Sequence, residues 1–166
     1  MKLSNFVGLV LLFSVRMAFG LESDSEQPVY IESDHAVYDE KNETSTYTGN
    51  VVAKQGTIRV DGDKLVVYMK NGDIIKMVAT GNPSKFEQLP AEGKDKMYGE
   101  GLINEFYPEK NLLIFMKKAS VWQGDAKQSS EHIEYDTKNS LLKAGEHKSD
   151  GNRVHSVIKP KPKTAQ

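Results

Sequence analysis

The chain is expected to be all-β, an array of antiparallel strands, and three observations point there. A strand–turn–strand unit recurs four times along the sequence. The segments between the turns alternate apolar and polar residues, as half-buried strands do. No window of a dozen residues places apolar side chains at helical spacing.

The first twenty residues read as a leader rather than as structure. Lys2 supplies the positive start, Phe6 to Val15 an apolar run too short to span a bilayer, and Ala18-Phe19-Gly20 the small residues of a cleavage site. Arg16 ends the apolar run. An uncleaved N-terminal anchor is the other way to read such a segment, and its length argues against that. Removal after Gly20 leaves 146 residues, enough for one domain with its own core. A lead-in over 21–28, a β domain over 29–158 and a basic, Pro-rich, disordered tail over 159–166 are expected to follow, the tail being solvated and polyproline-like.

The repeat carries most of the fold information. Tyr38-Asp39-Glu40-Lys41-Asn42 returns as Tyr107-Pro108-Glu109-Lys110-Asn111 and as Tyr135-Asp136-Thr137-Lys138-Asn139, with a shortened copy at Tyr68-Met69-Lys70-Asn71-Gly72. In each, an extended run ends in an aromatic residue, a Lys-Asn turn follows, and a second apolar run starts. Asparagine tolerates positive φ and suits such a reversal. Between these units, Thr46 to Lys54 is β-branched and closed by Gln55-Gly56, and Thr57 to Asp61 alternates strictly. Further turns are expected at Asp61-Gly62-Asp63, Gly81-Asn82-Pro83, Gly124-Asp125 and within Gly145 to Asn152. Strands this closely punctuated fit a sandwich, a jelly roll or a β-solenoid.

Composition narrows the function. The chain has no cysteine, so an exported protein of this sequence is held by burial and backbone pairing alone, with no acylated N-terminal cysteine. Leu21 to Asn152 holds 16 basic against 23 acidic residues, which argues against nucleic acid as a partner. His35, His132, His147 and His155 stand at no metal-ligand spacing. Asp61-Gly62-Asp63 reads as a turn rather than a calcium loop, and Gly99-Glu100-Gly101 lacks the third glycine and following helix of a phosphate cradle. There is no Gly-x-Ser-x-Gly elbow and no assignable carboxylate pair. No enzyme chemistry and no cofactor are expected.

A family resemblance adds to this. Gln27-Pro28-Val29-Tyr30-Ile31-Glu32-Ser33-Asp34, then Tyr47-Thr48-Gly49-Asn50-Val51-Val52-Ala53-Lys54-Gln55-Gly56-Thr57-Ile58, Asp63-Lys64-Leu65 and Gly81-Asn82-Pro83-Ser84-Lys85-Phe86 occur in the order of the hallmark blocks of the OstA-like family. The resemblance covers about Gln27 to Lys159. It departs at Phe115-Met116-Lys117-Lys118-Ala119, where the family often repeats a Thr-Gly-Asn block. The resemblance implies an open β-jelly roll with an apolar interior trough, and a periplasmic carrier of lipopolysaccharide from the inner to the outer membrane. Implied partners are an inner-membrane ATP-driven extractor with its anchored OstA-like subunit, an outer-membrane translocon, and further copies joined head to tail by strand addition at about Val29–Tyr38 and Arg153–Ile158. Pro160 and Pro162 would stop the last strand from extending.

If the strands alternate, the trough face collects Val29, Ile31 and Val37; Val51 and Ala53; Ile58 and Val60; and Leu65 and Val67. Phe86, Phe106, Leu113, Phe115, Val121, Ile133 and Tyr135 are the candidates in later strands. Any of them could equally be plain core, and one bulge would turn every later side chain to the other face. The competing class is a structural or carbohydrate-binding β module, for which Trp122 with Tyr30, Tyr98 and Tyr107 would form a sugar platform.

Overall fold

The computed structural model describes residues 24–145 and 153–158. The expected leader, the expected tail with its prolines, and most of the turn within Gly145 to Asn152 lie outside those residues. Among the described residues, a short helical turn at Asp24–Glu26 is followed by ten strands: β1 Tyr30–Glu32, β2 His35–Asp39, β3 Thr44–Gln55, β4 Ile58–Lys70, β5 Asp73–Gln88, β6 Met97–Tyr107, β7 Leu112–Gln123, β8 Ala126–Asp136, β9 Leu141–Ala144 and β10 His155–Val157. Neighbours in sequence pair antiparallel from β3 through β8. Both β1 and β2 pair with β3, on its two halves, and β9 and β10 likewise share β8.

The four repeated units are the hairpin ends, at or beside the turns joining β2 to β3, β4 to β5, β6 to β7 and β8 to β9. Asn71 and Asn111 take the expected left-handed conformation, with φ of 53° and 51°. In the other two units the positive φ falls one residue later, on Glu43 and Ser140. There the asparagine is held by the aspartate three residues before it: Asn42 donates its backbone and side-chain N–H to Asp39 at 3.0 and 2.7 Å, and Asn139 does the same to Asp136 at 2.9 and 2.7 Å. The asparagine side-chain donors, with the backbone donors beside them, hold both aspartate carboxyls below their ordinary range.

Two expected turns are not turns. Asp61-Gly62-Asp63 lies inside β4 and Gly81-Asn82-Pro83 inside β5, so the central strands run to between 11 and 16 residues. Both segments sit where the pairing register slips. The slip recurs at one level in five successive pairs: at Thr48/Val51, Asp61/Lys64, Thr80/Ser84, Glu100/Ile103 and Met116/Ala119. A bulge bends its strand, and bulges aligned across a sheet make a crease. Gly49 and Asn50 turn the corner on β3 with φ of 79° and 46°; Lys117 and Lys118 turn it on β7 with φ of 60° and 58°. The segment that departs from the family block thus makes the same corner with a different pair of residues. At the crease Asp34 donates its N–H to the Gly49 carbonyl, and Asn50 holds the Asp34 carboxylate at 2.8 Å.

The creased sheet folds over so that its two halves face each other. Phe115, fully buried, packs edge-on against Phe86 with centroids 5.9 Å apart, and its ring lies directly on Gly99 of the opposite half. One core cluster gathers Phe86, Met97, Leu113, Phe115, Val121, Ile133 and Tyr135; a second gathers Val51, Ala53, Leu65, Val67 and Ala79. Val60 packs against both, so the apolar interior runs without interruption across the sheet.

Candidate functional site

Register decides which side chains face inward. On one side of the crease the row Ile31, Ala53, Val60, Phe86, Gly99, Val121 crosses successive strands; on the other the row Tyr47, Leu65, Ala79, Asn104, Phe115, Ile133 does so. With alternation along each strand these rows place Val29, Ile31, Val51, Ile58, Val60, Leu65, Val67, Phe86, Phe106, Leu113, Phe115, Val121, Ile133 and Tyr135 on the inner face.

Val37 is the exception. It pairs with Thr46, in the row of Val66, Val78, Glu105 and Glu134, and is 51% exposed on the outer face. The break between β1 and β2 at Ser33-Asp34 reverses the alternation, so Ala36 and Tyr38 face inward instead. Alternation counted through an unseen corner gives the wrong face. Tyr47, Met77, Ala79 and Met97 are inner residues that pattern reading did not nominate.

The interior is an open trough. A narrow channel with entirely apolar surface lies among Ala53, Val60, Leu65, Phe86, Phe106 and Leu113. Above it the two halves do not close. A cavity of about 690 Å³ spans the gap between one lip (Gln55, Thr57, Gln88, Leu89) and the other (Gly72, Asp73, Pro108, Glu109, Lys138), with Ile58, Met77 and Phe106 at its floor. A second cavity of about 400 Å³ continues along the same gap between Met97, Val121 and Trp122 on one side and Tyr135 and Leu142 on the other. Asp24 braces the first lip: its carboxylate accepts from the Thr57 N–H at 2.6 Å, the Thr57 hydroxyl at 2.8 Å and the Gln88 amide at 2.8 Å.

The trough is also open at its ends. Tyr38 on the inner face of β2 is 62% exposed, and Ile158 beyond β10 is 79% exposed. Among the described residues no strand pairs with the outer edges of β1, β2, β9 or β10. Such edges are templates for strand addition.

The outer face is polar and networked. Lys76 bonds Glu105 at 2.8 Å, and the Tyr107 hydroxyl donates to the same carboxylate at 2.6 Å. Burial pushes the Glu105 carboxyl up, but these two donors outweigh it and hold it below the usual range, while Glu105 in turn raises Lys76. Tyr98 stacks on Trp122 with centroids 5.4 Å apart, and Lys127 lies 5.0 Å over the indole. Tyr107 sits on the other half, between Lys76 and Lys110. Of the four rings a sugar platform would use, Tyr98 and Trp122 stack on each other, lysine ammonium groups lie over Trp122 and Tyr107, and Tyr30 is 67% exposed.

These features define a class: an open antiparallel β-jelly roll that shelters a long apolar trough, slit along one side and open at both ends. Residues 30–140 match the family model described as LptA/(LptD N-terminal domain) LPS transport protein, and the chain belongs to that family. It is 34% identical over 164 residues to the lipopolysaccharide export system protein LptH of Pseudomonas aeruginosa, covering 94% of this chain and 93% of that one. It is 33% identical over 147 residues to the lipopolysaccharide export system protein LptA of Escherichia coli K12, covering 86% and 77%. The crystal structure of LptH, described as the LptA homologous periplasmic component of the conserved lipopolysaccharide transport device from Pseudomonas aeruginosa, superposes with a TM-score of 0.77 at 30% identity, covering 84% of this chain and all of that one.

Proposed function

We propose that the protein carries lipopolysaccharide through the periplasm toward the outer membrane, with the acyl chains in the trough and the saccharide outside it. The observation that carries this reading is the slit: an apolar interior reachable from the side lets a lipid keep its chains dry while its head group stays in water. Each methylene exposed to water costs about 0.8 kcal/mol, so a lipid with several chains does not cross an aqueous compartment unaided. That the relatives are lipopolysaccharide export proteins supports the same conclusion.

A photoreactive side chain at Phe106, on the trough floor, is expected to form lipopolysaccharide adducts, and one at Ile114, on the outer face beside Glu105 and Glu134, is not. Equal labelling at both positions would contradict a trough-bound lipid.

The edges extend the proposal to a bridge. Counting β1 with β2 and β9 with β10, the sheet has eight layers, so its last edge runs opposite to its first. A second copy placed edge to edge therefore continues the antiparallel order and prolongs the trough. The anchored OstA-like subunit of an inner-membrane ATP-driven extractor and an outer-membrane translocon would add at the two ends in the same way. Ser156→Pro combined with Val157→Pro removes donors from β10 and is expected to shift concentrated protein toward monomer in light scattering. An unchanged size distribution would count against edge pairing.

A further inference from the structure

The two edges of the sheet are the two ends of the same rows. Glu32 on β1 and His155 on β10 end one outer-face row, which runs through Val52, Lys85 and Ser129. Tyr30 and Val157 end the next outer row, through Arg59 and Trp122. Across the crease, Tyr38 and Leu142 end an inner row, through Val67 and Leu113. Both edges break at the crease. On the first, Ser33-Asp34 separates β1 from β2; on the last, Ser130 and Glu131 of β8 separate the stretch paired with β10 from the stretch paired with β9. The breaks differ in charge. Glu32 and Asp34 are exposed carboxylates at the first, whereas Lys118, Arg153 and His155 line one cavity at the last, with Glu131 the acid among them. No ion pair among the described residues uses any of these side chains.

We infer that a second copy joins this edge in one register only, each row of the first copy running straight into the same row of the second, and that Glu32 against His155 is the contact that selects it. This rests on the edge-pairing part of the bridge reading and adds what fixes the joint. In that register Tyr30 of the second copy covers Val157, and its Tyr38 covers Leu142 on the trough face. Tyr30, Tyr38 and Val157 are all exposed in the single chain, so the joint buries apolar surface that is otherwise wet. The acidic corner of one copy meets the basic cavity of the other. A slip of one residue would turn the trough face outward. A slip of two, about 7 Å, keeps the faces but sets Glu32 on Val157 in one direction. In the other it sets Tyr30 on His155 and carries Tyr38 past the start of β9 at Leu141. Either slip also moves the Ser33-Asp34 corner off the break at Ser130 and Glu131. Each edge is bent at its corner, so one half of the joint cannot slide without the other.

The test uses protein without the expected leader, residues 1–20. The chain has no cysteine, so an engineered pair supplies its only thiols. Three variants carry Glu32→Cys, each combined with His155→Cys, Val157→Cys or Arg153→Cys, and are oxidised at high protein concentration. Directly opposite strand residues lie within disulfide reach and diagonal ones do not, so the variant with His155→Cys is expected to form a covalent ladder on a non-reducing gel about tenfold faster than the other two. Tyr38→Cys with Leu142→Cys repeats the test on the other half of the joint and is expected to give the same ladder. Separately, Glu32→Lys is expected to raise the concentration needed for association about fivefold, and His155→Glu in the same chain to restore it. Faster linking of a slipped pair, equal linking of all three, or no effect of Glu32→Lys would overturn the register while leaving edge pairing in place. Linking in none of the four cysteine variants would overturn the register and the bridge together and leave lipid carriage standing.

Discussion

Phe115→Ala is expected to cost about 3–5 kcal/mol of folding stability, the range for truncating a fully buried aromatic residue. The site leaves little freedom to collapse. The ring has no exposed surface, meets Phe86 edge-on at 5.9 Å and lies against Gly99 from the opposite half of the sheet. It is one of the contacts by which the folded-over halves touch, so its loss loosens the trough as well as hollowing it. Thermal denaturation followed by circular dichroism should show a fall on the order of 10 °C. A loss under about 1 kcal/mol would mean that the halves do not meet there.

Gly99→Val addresses the same contact from the other side and is expected to be comparably damaging, about 3 kcal/mol or more. Gly99 is not needed for an unusual backbone angle. It is needed because a Cβ there would overlap the Phe115 ring. The damage should therefore be conditional: with Phe115→Leu in the same chain, the smaller side chain makes room and Gly99→Val should cost clearly less than it does alone. Additive losses in the double variant, read from denaturant titration, would show that glycine serves some other purpose at this position.

Much of this architecture is legible in the residues because local chemistry dictates it. The Tyr-x-x-Lys-Asn units mark hairpin ends because asparagine, or the residue after it once an aspartate clasps the asparagine, accepts positive φ. Strict alternation in Thr57 to Asp61 places Ile58 and Val60 correctly, and the same holds for Leu65 and Val67 beyond the corner. The crease is what local reading misreads. Asp61-Gly62-Asp63 and Gly81-Asn82-Pro83 carry the composition of hairpin turns, yet each bends a strand that continues. Only the alignment of the bulges across neighbouring strands, a non-local fact, distinguishes a corner from a turn. Val37 is assigned to the wrong face for that reason. Gly99 escapes notice because its role depends on Phe115, which lies on the next strand and on the other half of the sheet.

The measurement that bears most directly on the central claim is selective capture. Purified protein without the expected leader, residues 1–20, is mixed separately with intact lipopolysaccharide, with its free core oligosaccharide and with a plain phospholipid, and bound ligand is quantified by native mass spectrometry. A trough that holds acyl chains while the saccharide stays outside predicts retention of intact lipopolysaccharide and none of the free oligosaccharide. Retention of the oligosaccharide, or of no ligand at all, would contradict the account and leave a sugar-binding or purely structural β module in its place.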